Sequence, residues 1–138
     1  MTDDLVNHPK HYNKGKFEHV EVVENWELGY HLGNATKYLM RASHKGNRLQ
    51  DLQKARWYLS RAIDRPWCAI VSYDLLLHPS VGFEIIDVAA DWFGEENNAY
   101  KAFISIASAA LTSPTIGEVI ANLQLARDWL DREIKACL

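Results

Sequence analysis

Two sets of polar residues in the first half of the chain recur at helical spacing. Each set advances by three or four residues, so its members would share one face of a helix. Arginine can hold a phosphate in bidentate fashion and lysine acts as a point charge, so two such faces opposite each other would form a cationic groove. The first set is Asn34, Lys37, Arg41 and Lys45, and the second is Asp51, Lys54, Tyr58 and Arg61.

Two interpretations of these stripes stay open. Each stripe is either a solvated helix face or one wall of a site for a phosphorylated ligand. The N-terminal residues add groups that can hydrogen-bond a phosphate or stack on a base. These are His8, Lys10, His11 and Tyr12.

A pair of carboxylates is a candidate metal site. Glu18 and Glu21 stand three residues apart and would share a helix face. Together with waters they could hold Mg²⁺, which phosphate chemistry commonly requires. Asp51 is a further candidate ligand. Glutamate is common on helix surfaces, so the pair alone is a weak motif.

Other signatures of metal or nucleotide chemistry do not occur. The chain has no GxxxxGK[ST], GxGxxG, HExxH or GxSxG motif, which excludes a conventional P-loop kinase. Three histidines in the helical region lack a histidine four residues on and are predicted to be surface or capping residues. They are His19, His31 and His44.

Helices must position all of these groups. Residues 1–16 lack a sustained hydrophobic period and are predicted to form an extended arm. Residues 17–66 are predicted to form a three-helix unit that bears the site, because apolar residues recur there at i, i+3 and i+7. The helices begin at Phe17, at about His31 and at about Leu49, and Tyr38 is expected to pack in the core.

The remainder of the chain repeats this unit. An apolar linker at 67–81, expected to include a short buried helix, leads to a second, degenerate unit at 82–138. Residues 17–26 match 83–92 at four of ten positions, and residues 52–63 match 123–134 at seven of twelve.

This repetition predicts an all-α fold in one compact domain, with two pseudo-repeated three-helix units packed about a pseudo-twofold axis. The corresponding surface of a single-copy relative would serve a homodimer, so a homo-oligomer is also an open expectation.

The second copy keeps the core positions and loses the polar stripes. Lys101 matches Lys37, whereas three other cations and Asp51 are replaced by neutral residues. This is what a site retained in one copy only would show. The replacements are Ser105 for Arg41, Ala109 for Lys45, Leu125 for Lys54 and Asn122 for Asp51.

The charge distribution also points to the first half. Residues 1–66 hold 11 Lys/Arg against 8 Asp/Glu, whereas residues 67–138 hold 4 against 10. This basic balance favours an anionic ligand and is too small for a general nucleic-acid binder. No apolar run reaches the length of a membrane span. Cys68 and Cys137 are expected to be free thiols of a protein in the host-cell cytosol.

Three blocks of sequence resemble the SaV-like family of phage proteins. They are VNHPKHYNKGKFEHVEVVE, LGNATKYLMRASHKGN and DLQKARWYL, within residues 6–63. Their patterns are HPxHY…G…E, GNxxKYxxR…KG and DLxKAxxYL. The segment at about 78–134 matches only as the degenerate repeat.

The resemblance implies a phage origin and two kinds of activity. One family member is a nucleoside monophosphate kinase without a P-loop, and another triggers a bacterial abortive-infection system. Carried over position by position, the resemblance implies roles for the matching residues. These are His8, His11, Tyr12, Glu18, Asn34, Lys37, Tyr38, Arg41, Lys45, Asp51 and Lys54.

These observations lead to one function and several alternatives. The leading hypothesis is a nucleotide-binding protein, with dNMP-kinase activity as an open extension in which Lys37, Arg41 and Asp51 would be catalytic and Mg²⁺ the cofactor. Phosphate contacts would come from Lys37, Arg41, Lys45 and Lys54, and base contacts from His11 or Tyr12.

The alternatives use the same chain differently. A non-catalytic protein that sequesters a nucleotide signal would need the cations without the metal. An effector that binds a host defence protein would need an exposed apolar patch, for which Trp57, Trp67 and Trp129 are candidates. A helical pyrophosphohydrolase is disfavoured by the wide gap between ExxE at 18–21 and ExxD at 84–87.

Overall fold

Side-chain caps begin three of the helices that the sequence pattern predicts. The Oδ1 atom of Asn47 accepts a hydrogen bond of 3.0 Å from the backbone N–H of Gln50, and Asn97 caps a later helix in the same way. Thr115 caps the last helix through its hydroxyl. A capping side chain satisfies a backbone N–H that has no partner within the helix, and removing it typically costs about 1 kcal/mol.

The computed structural model describes residues 16–44, 46–69 and 82–138. The predicted arm, except its last residue, and most of the predicted linker lie outside these ranges. The described residues contain helices and no strand, which confirms the all-α fold class. The helices are α1 (His19–Trp26), α2 (Tyr30–His44), α3 (Arg48–Asp64), α4 (Ile85–Phe93), α5 (Asn98–Leu111) and α6 (Ile116–Ala136), with a 3₁₀ helix at Pro66–Ala69.

Two glycines permit the turns of the first unit. Gly46 has φ +90° between α2 and α3, a conformation that disfavours other residues. Gly29, between α1 and α2, lies against the 3₁₀ helix, and a Cβ atom there would be 2.8 Å from the carbonyl oxygen of Cys68. Any larger residue at position 29 would therefore push α1 and α2 away from that helix.

The core is shared by the two sets of three helices. Within each set the two long helices pack as a pair, α2 with α3 and α5 with α6, and α3 also packs on α6. Their apolar stripes are fully buried, so hydrophobic burial joins the sets into one unit. The largest buried side chains include Leu32, Leu39, Leu52, Leu59, Phe103, Ile106, Leu123 and Leu130.

Reciprocal hydrogen bonds join the two sets. The indole N–H of Trp26 donates to the carbonyl oxygen of Phe83 over 2.9 Å, and the indole N–H of Trp92 donates to that of Phe17 over 2.8 Å. The rings of Phe17 and Phe83 meet edge to face, with centroids 4.9 Å apart. The pseudo-twofold axis stays a prediction. The two bonds are reciprocal between equivalent residues of the repeat, which is the pattern that such an axis would produce.

Reciprocal hydrogen bonds also involve the backbone N–H groups beside these aromatic residues. Both carboxylate oxygens of Asp91 accept 3.0 Å hydrogen bonds, from the N–H groups of Lys16 and Phe17. In the other direction, the Oδ1 atom of Asn25 accepts from the N–H of Phe83 over 2.8 Å. Asn25 and Asp91 are equivalent positions of the repeat. Each unit therefore holds the start of the other.

Polar contacts also line the crossing of α3 and α6. Arg56 forms an ion pair with Asp131, and Arg127 donates to the hydroxyl of Ser60. Arg56 and Arg127 occupy equivalent repeat positions. The ion pair is substantially exposed, so it adds at most about 1 kcal/mol and orients the helices more than it stabilises them.

Two further findings concern the apolarity of the helices and the state of the two cysteines. Among the helices of the described residues, none combines the length and apolarity needed to cross a lipid bilayer. Cys68 and Cys137 are both free, as the sequence predicts, and both are exposed.

We expect Asp91→Ala to lower the free energy of unfolding by about 2 kcal/mol, because two backbone N–H groups lose a charged acceptor. Asp91→Asn keeps one acceptor, as Asn25 does in the other unit, and should cost less than half as much. Urea denaturation monitored by circular dichroism measures both values. An Asp91→Ala protein as stable as the unchanged one would show that these bonds do not join the units.

Candidate functional site

Helices α2 and α3 bring three cationic side chains to one aromatic ring. Lys37 and Arg41 project from α2 and Lys54 from α3. Their charged groups lie 4.6 Å, 5.8 Å and 5.3 Å from the centroid of the Tyr38 ring. The two polar stripes predicted from the sequence therefore do face each other.

The Tyr38 side chain lies between the three cations and the core. Its side chain is half-buried and packs against the core, in agreement with the expectation from the sequence. Its ring also stacks on Tyr58 of α3, with centroids 5.9 Å apart and an interplanar angle of 10°. Each cation gains a favourable electrostatic interaction with the face of an aromatic ring. The Tyr38 ring is thus a favourable contact that all three cations share.

The stacked pair continues into a row of exposed aromatic side chains. Tyr30 and Trp57 both meet Tyr58 edge to face, with centroids 5.8 Å and 5.0 Å apart. Tyr30 is 72% exposed and Trp57 is 58% exposed. The hydrogen bond with Tyr30 raises the pKa of Tyr58 above its ordinary value.

We call this surface the cationic–aromatic face. Arg61 completes it, with its guanidinium 5.6 Å from the Trp57 ring centroid. Its Nε atom is buried and has no hydrogen-bond partner within the described part of the chain. Sequence reasoning missed Tyr30, although it lies one turn before Asn34 on the same helix face. The face consists of Tyr30, Lys37, Tyr38, Arg41, Lys54, Trp57, Tyr58 and Arg61.

Three cations of this face have no carboxylate partner among the described residues. Within residues 16–44, 46–69 and 82–138, none of Lys37, Lys54 and Arg61 forms an ion pair. Cations grouped without counter-charges repel one another and attract an anion. The arrangement is therefore suited to a ligand with several negative charges.

The other predicted site residues divide into three groups. Asn34 is half-buried next to the face and donates through Nδ2 to the carbonyl oxygen of Tyr30. Asp51 is buried in the first turn of α3, near the turn at Gly46. Four predicted ligands lie outside the described residues: His8, His11, Tyr12 and Lys45.

The predicted metal ligands lie at the start of α1 and in the first turn of α3. Glu18 occupies the position before the first residue of α1, and Glu21 is an exposed residue of its first turn. No group of three or more His, Cys, Asp or Glu side chains that could hold a metal ion occurs among the residues described. Glu18, Glu21 and Asp51 thus do not form a three-carboxylate site among the described residues, and Mg²⁺ binding through Glu18, Glu21 and waters stays a prediction.

His19 was predicted to be a surface or capping residue, and this was wrong. Its Nε2 atom lies 3.1 Å from the hydroxyl oxygen of Thr36, and its ring contacts the Trp92 ring. The pKa of His19 is lowered from 6.5 to about 4, chiefly by burial and to a smaller extent by the charge of Lys37, against an opposing backbone hydrogen bond to Gly33. The repeat carried a signal, because Ile85 occupies the equivalent position.

His19 lines an open cleft between α1 and the start of α2. The cleft has a volume of about 300 Å³ and mostly apolar walls. It adjoins the cationic–aromatic face, since Tyr30 belongs to both. The lining residues are His19, Val20, Val23, Leu28, Gly29, Tyr30, Gly33 and Asn34.

The second unit retains only part of the cationic–aromatic arrangement. Lys101 and Arg132 each lie 4.6 Å from the centroid of the Trp129 ring, and Trp129 takes the position of Tyr58. The equivalents of Tyr38 and Arg41 are Ala102 and Ser105, which are both buried. The cations of the second unit therefore meet one ring without a stacked aromatic partner.

Comparison with known proteins gives a single finding. Residues 6–60 match the model of a family described as a protein of unknown function (DUF3310). No curated protein and no solved structure matches this chain. The family match covers the region of the sequence resemblance and the whole cationic–aromatic face except Arg61. The phage origin and the SaV-like name stay predictions.

We expect the protein to lose stability on acidification because of His19. Its pKa is about 4 in the folded state and 6.5 when unfolded, so the unfolded chain binds more protons between these values. The free energy of unfolding therefore falls as the pH falls through this window, by up to about 3 kcal/mol. Urea denaturation at pH 7 and pH 4.5 should show a smaller loss in His19→Gln. Equal losses in the two proteins would contradict the assignment.

Proposed function

We propose that this protein binds a nucleotide or a closely similar phosphorylated small molecule on the cationic–aromatic face. The observation that carries the proposal is the convergence of Lys37, Arg41 and Lys54, from two helices, on the ring of Tyr38. A phosphate group spreads its charge over several oxygens, and three cations around one point can each take one of them.

The aromatic part of the face supports a nucleotide over inorganic phosphate. Tyr30 and Trp57 expose their rings beside the cations. Base stacking on such rings typically contributes about 1–3 kcal/mol per base, and it tolerates different bases. A ligand that joins a flat ring to a phosphate matches this surface best.

Binding is proposed here as the function, and phosphoryl transfer is the reaction to be tested. Transfer generally relies on a metal ion that neutralises charge on the phosphates. Lys37 and Arg41 could neutralise part of that charge, and Glu18 and Glu21 at the start of α1 stay the candidate ligands of a Mg²⁺ ion. Sequestration of a nucleotide needs the cations alone.

A second candidate function is binding to a host defence protein. Trp57 and Trp67 are 58% and 64% exposed, and exposed tryptophans often mark protein interfaces. Trp129 is half-buried beneath Lys101 and Arg132, so it is not part of such a patch. We also propose that the protein is of phage origin, associates with itself and lies in the reducing cytosol. The free thiols of Cys68 and Cys137 favour the cytosol.

Calorimetric titration with nucleoside monophosphates tests the proposal. We expect Lys37→Ala and Lys54→Ala each to weaken binding roughly 10- to 100-fold, because each removes a charge-assisted hydrogen bond to phosphate. Lys101→Ala is the matched control, since it removes a lysine that also lies over an aromatic ring. Equal effects of Lys37→Ala and Lys101→Ala would place the ligand elsewhere.

Incubation with ATP, a nucleoside monophosphate and Mg²⁺ separates the two uses of the site. A nucleoside diphosphate product that depends on Lys37 would show a kinase. Binding without product would show a sequestering protein. Absence of nucleotide binding at millimolar concentration would overturn the proposal and leave the host-protein hypothesis.

A further inference from the structure

We infer that the cleft between α1 and the start of α2 binds the nucleoside part of the nucleotide whose phosphates lie on the cationic–aromatic face. This inference rests on the proposed function and adds the position of the base and sugar. It commits the protein to a single mononucleotide-sized ligand that spans the cleft and the cations.

The walls of the cleft have the character of a small-molecule site. Val20, Val23 and Leu28 supply apolar surface, and Gly33 leaves room at the helix backbone. A volume of about 300 Å³ lies at the lower end of the usual range for ligand pockets, roughly 300–1,000 Å³. Two polar side chains, His19 and Asn34, stand among these apolar residues. Few polar groups on an apolar wall are typical of sites that orient a flat ligand.

The cleft and the cations are joined by shared residues. Tyr30 lines the cleft, and its ring meets Tyr58 of the cationic–aromatic face. Lys37 is close enough to His19 to lower its pKa, while its Nζ atom lies over the Tyr38 ring. Asn34 lies one turn of α2 before Lys37 and Tyr38. Lys37 therefore places a positive charge near a ligand in the cleft.

His19 is held in one form by its surroundings. The hydroxyl of Thr36 donates to a backbone carbonyl of Leu32 or Gly33, at 2.9 Å and 3.1 Å, so towards His19 it acts as an acceptor. The Nε2 atom of His19 then carries the hydrogen, and Nδ1 is left with a lone pair. A neutral ring with one acceptor suits the N–H groups of a nucleobase edge. A charged imidazolium would serve phosphate, and burial disfavours it here.

The second unit changes these positions together. Ile85 and Tyr100 stand in place of His19 and Thr36, and Asn97 stands in place of Gly33. Ser105 and Leu125 replace Arg41 and Lys54 in the same unit, whereas Lys101 keeps the charge of Lys37. Cleft residues and phosphate-binding residues thus differ jointly between the units, as parts of one site would.

Filling the cleft from its exposed rim tests the inference. Val20 is 51% exposed, so Val20→Trp should occupy the cleft without disturbing the core. Ile86 is the equivalent residue of the second unit and is 59% exposed, which makes Ile86→Trp the matched control. The ligands are the four deoxynucleoside monophosphates and inorganic pyrophosphate, measured by calorimetric titration.

We expect Val20→Trp to weaken the binding of nucleoside monophosphates at least tenfold and to leave pyrophosphate binding within about twofold. Ile86→Trp should change neither. Gly33→Ala is a second, gentler variant, since its new Cβ atom would meet only Val23, at 3.8 Å and 3.9 Å. This variant should raise the melting temperature, because alanine stabilises a helix relative to glycine, and it should still weaken nucleotide binding. Gly117→Ala in α6 is its control.

The outcomes separate the two proposals. If Lys37→Ala abolishes nucleotide binding and Val20→Trp behaves like Ile86→Trp, the proposed function stands and the cleft is not the nucleoside site. If Val20→Trp weakens the binding of pyrophosphate as much as that of the nucleotides, the substitution acts on the cations and the inference is overturned. If the unchanged protein binds no nucleotide, both proposals fail together.

Discussion

Two buried indole N–H groups govern the assembly of this protein. Each must find an acceptor when it leaves water, since an unpaired buried donor costs on the order of 1–3 kcal/mol. Trp26 and Trp92 find theirs on the carbonyl oxygens of Phe83 and Phe17, in the opposite set of helices. The start of each unit is thereby held by the other. This exchange, together with the contact between His19 and Thr36, holds α1 beside α2, where the two helices form the walls of the cleft.

The cationic–aromatic face depends on that assembly in a different way. Burial of the apolar stripes of α2 and α3 turns their polar stripes towards each other on the opposite side. Repulsion between Lys37, Arg41 and Lys54 is offset by the ring of Tyr38, and Tyr38 is itself held by stacking on Tyr58. The result is a set of cations placed before any ligand arrives. Preorganised charge of this kind lowers the cost of binding an anion.

Most of the fold could be predicted from the sequence, because helical periodicity is a local property. The observed starts of α2 and α3, at Tyr30 and Arg48, lie within one residue of the expected ones. The two stripes could be predicted for the same reason, and their meeting at one ring followed once α2 and α3 packed together. His19 could not be placed in this way. Its burial comes from Thr36 and Trp92, which are distant in sequence, and no spacing within α1 records them.

The sequence by itself determined the helices, the repeat, the asymmetry of charge and the residues of the two stripes. These depend on residue type and on separations of three or four residues. Only the tertiary structure decided which charges have carboxylate partners, that the candidate metal ligands do not form a three-carboxylate group in the described residues, and that a cleft adjoins the cations. Such features arise from side chains of different helices, and their distances are set by packing rather than by position along the chain.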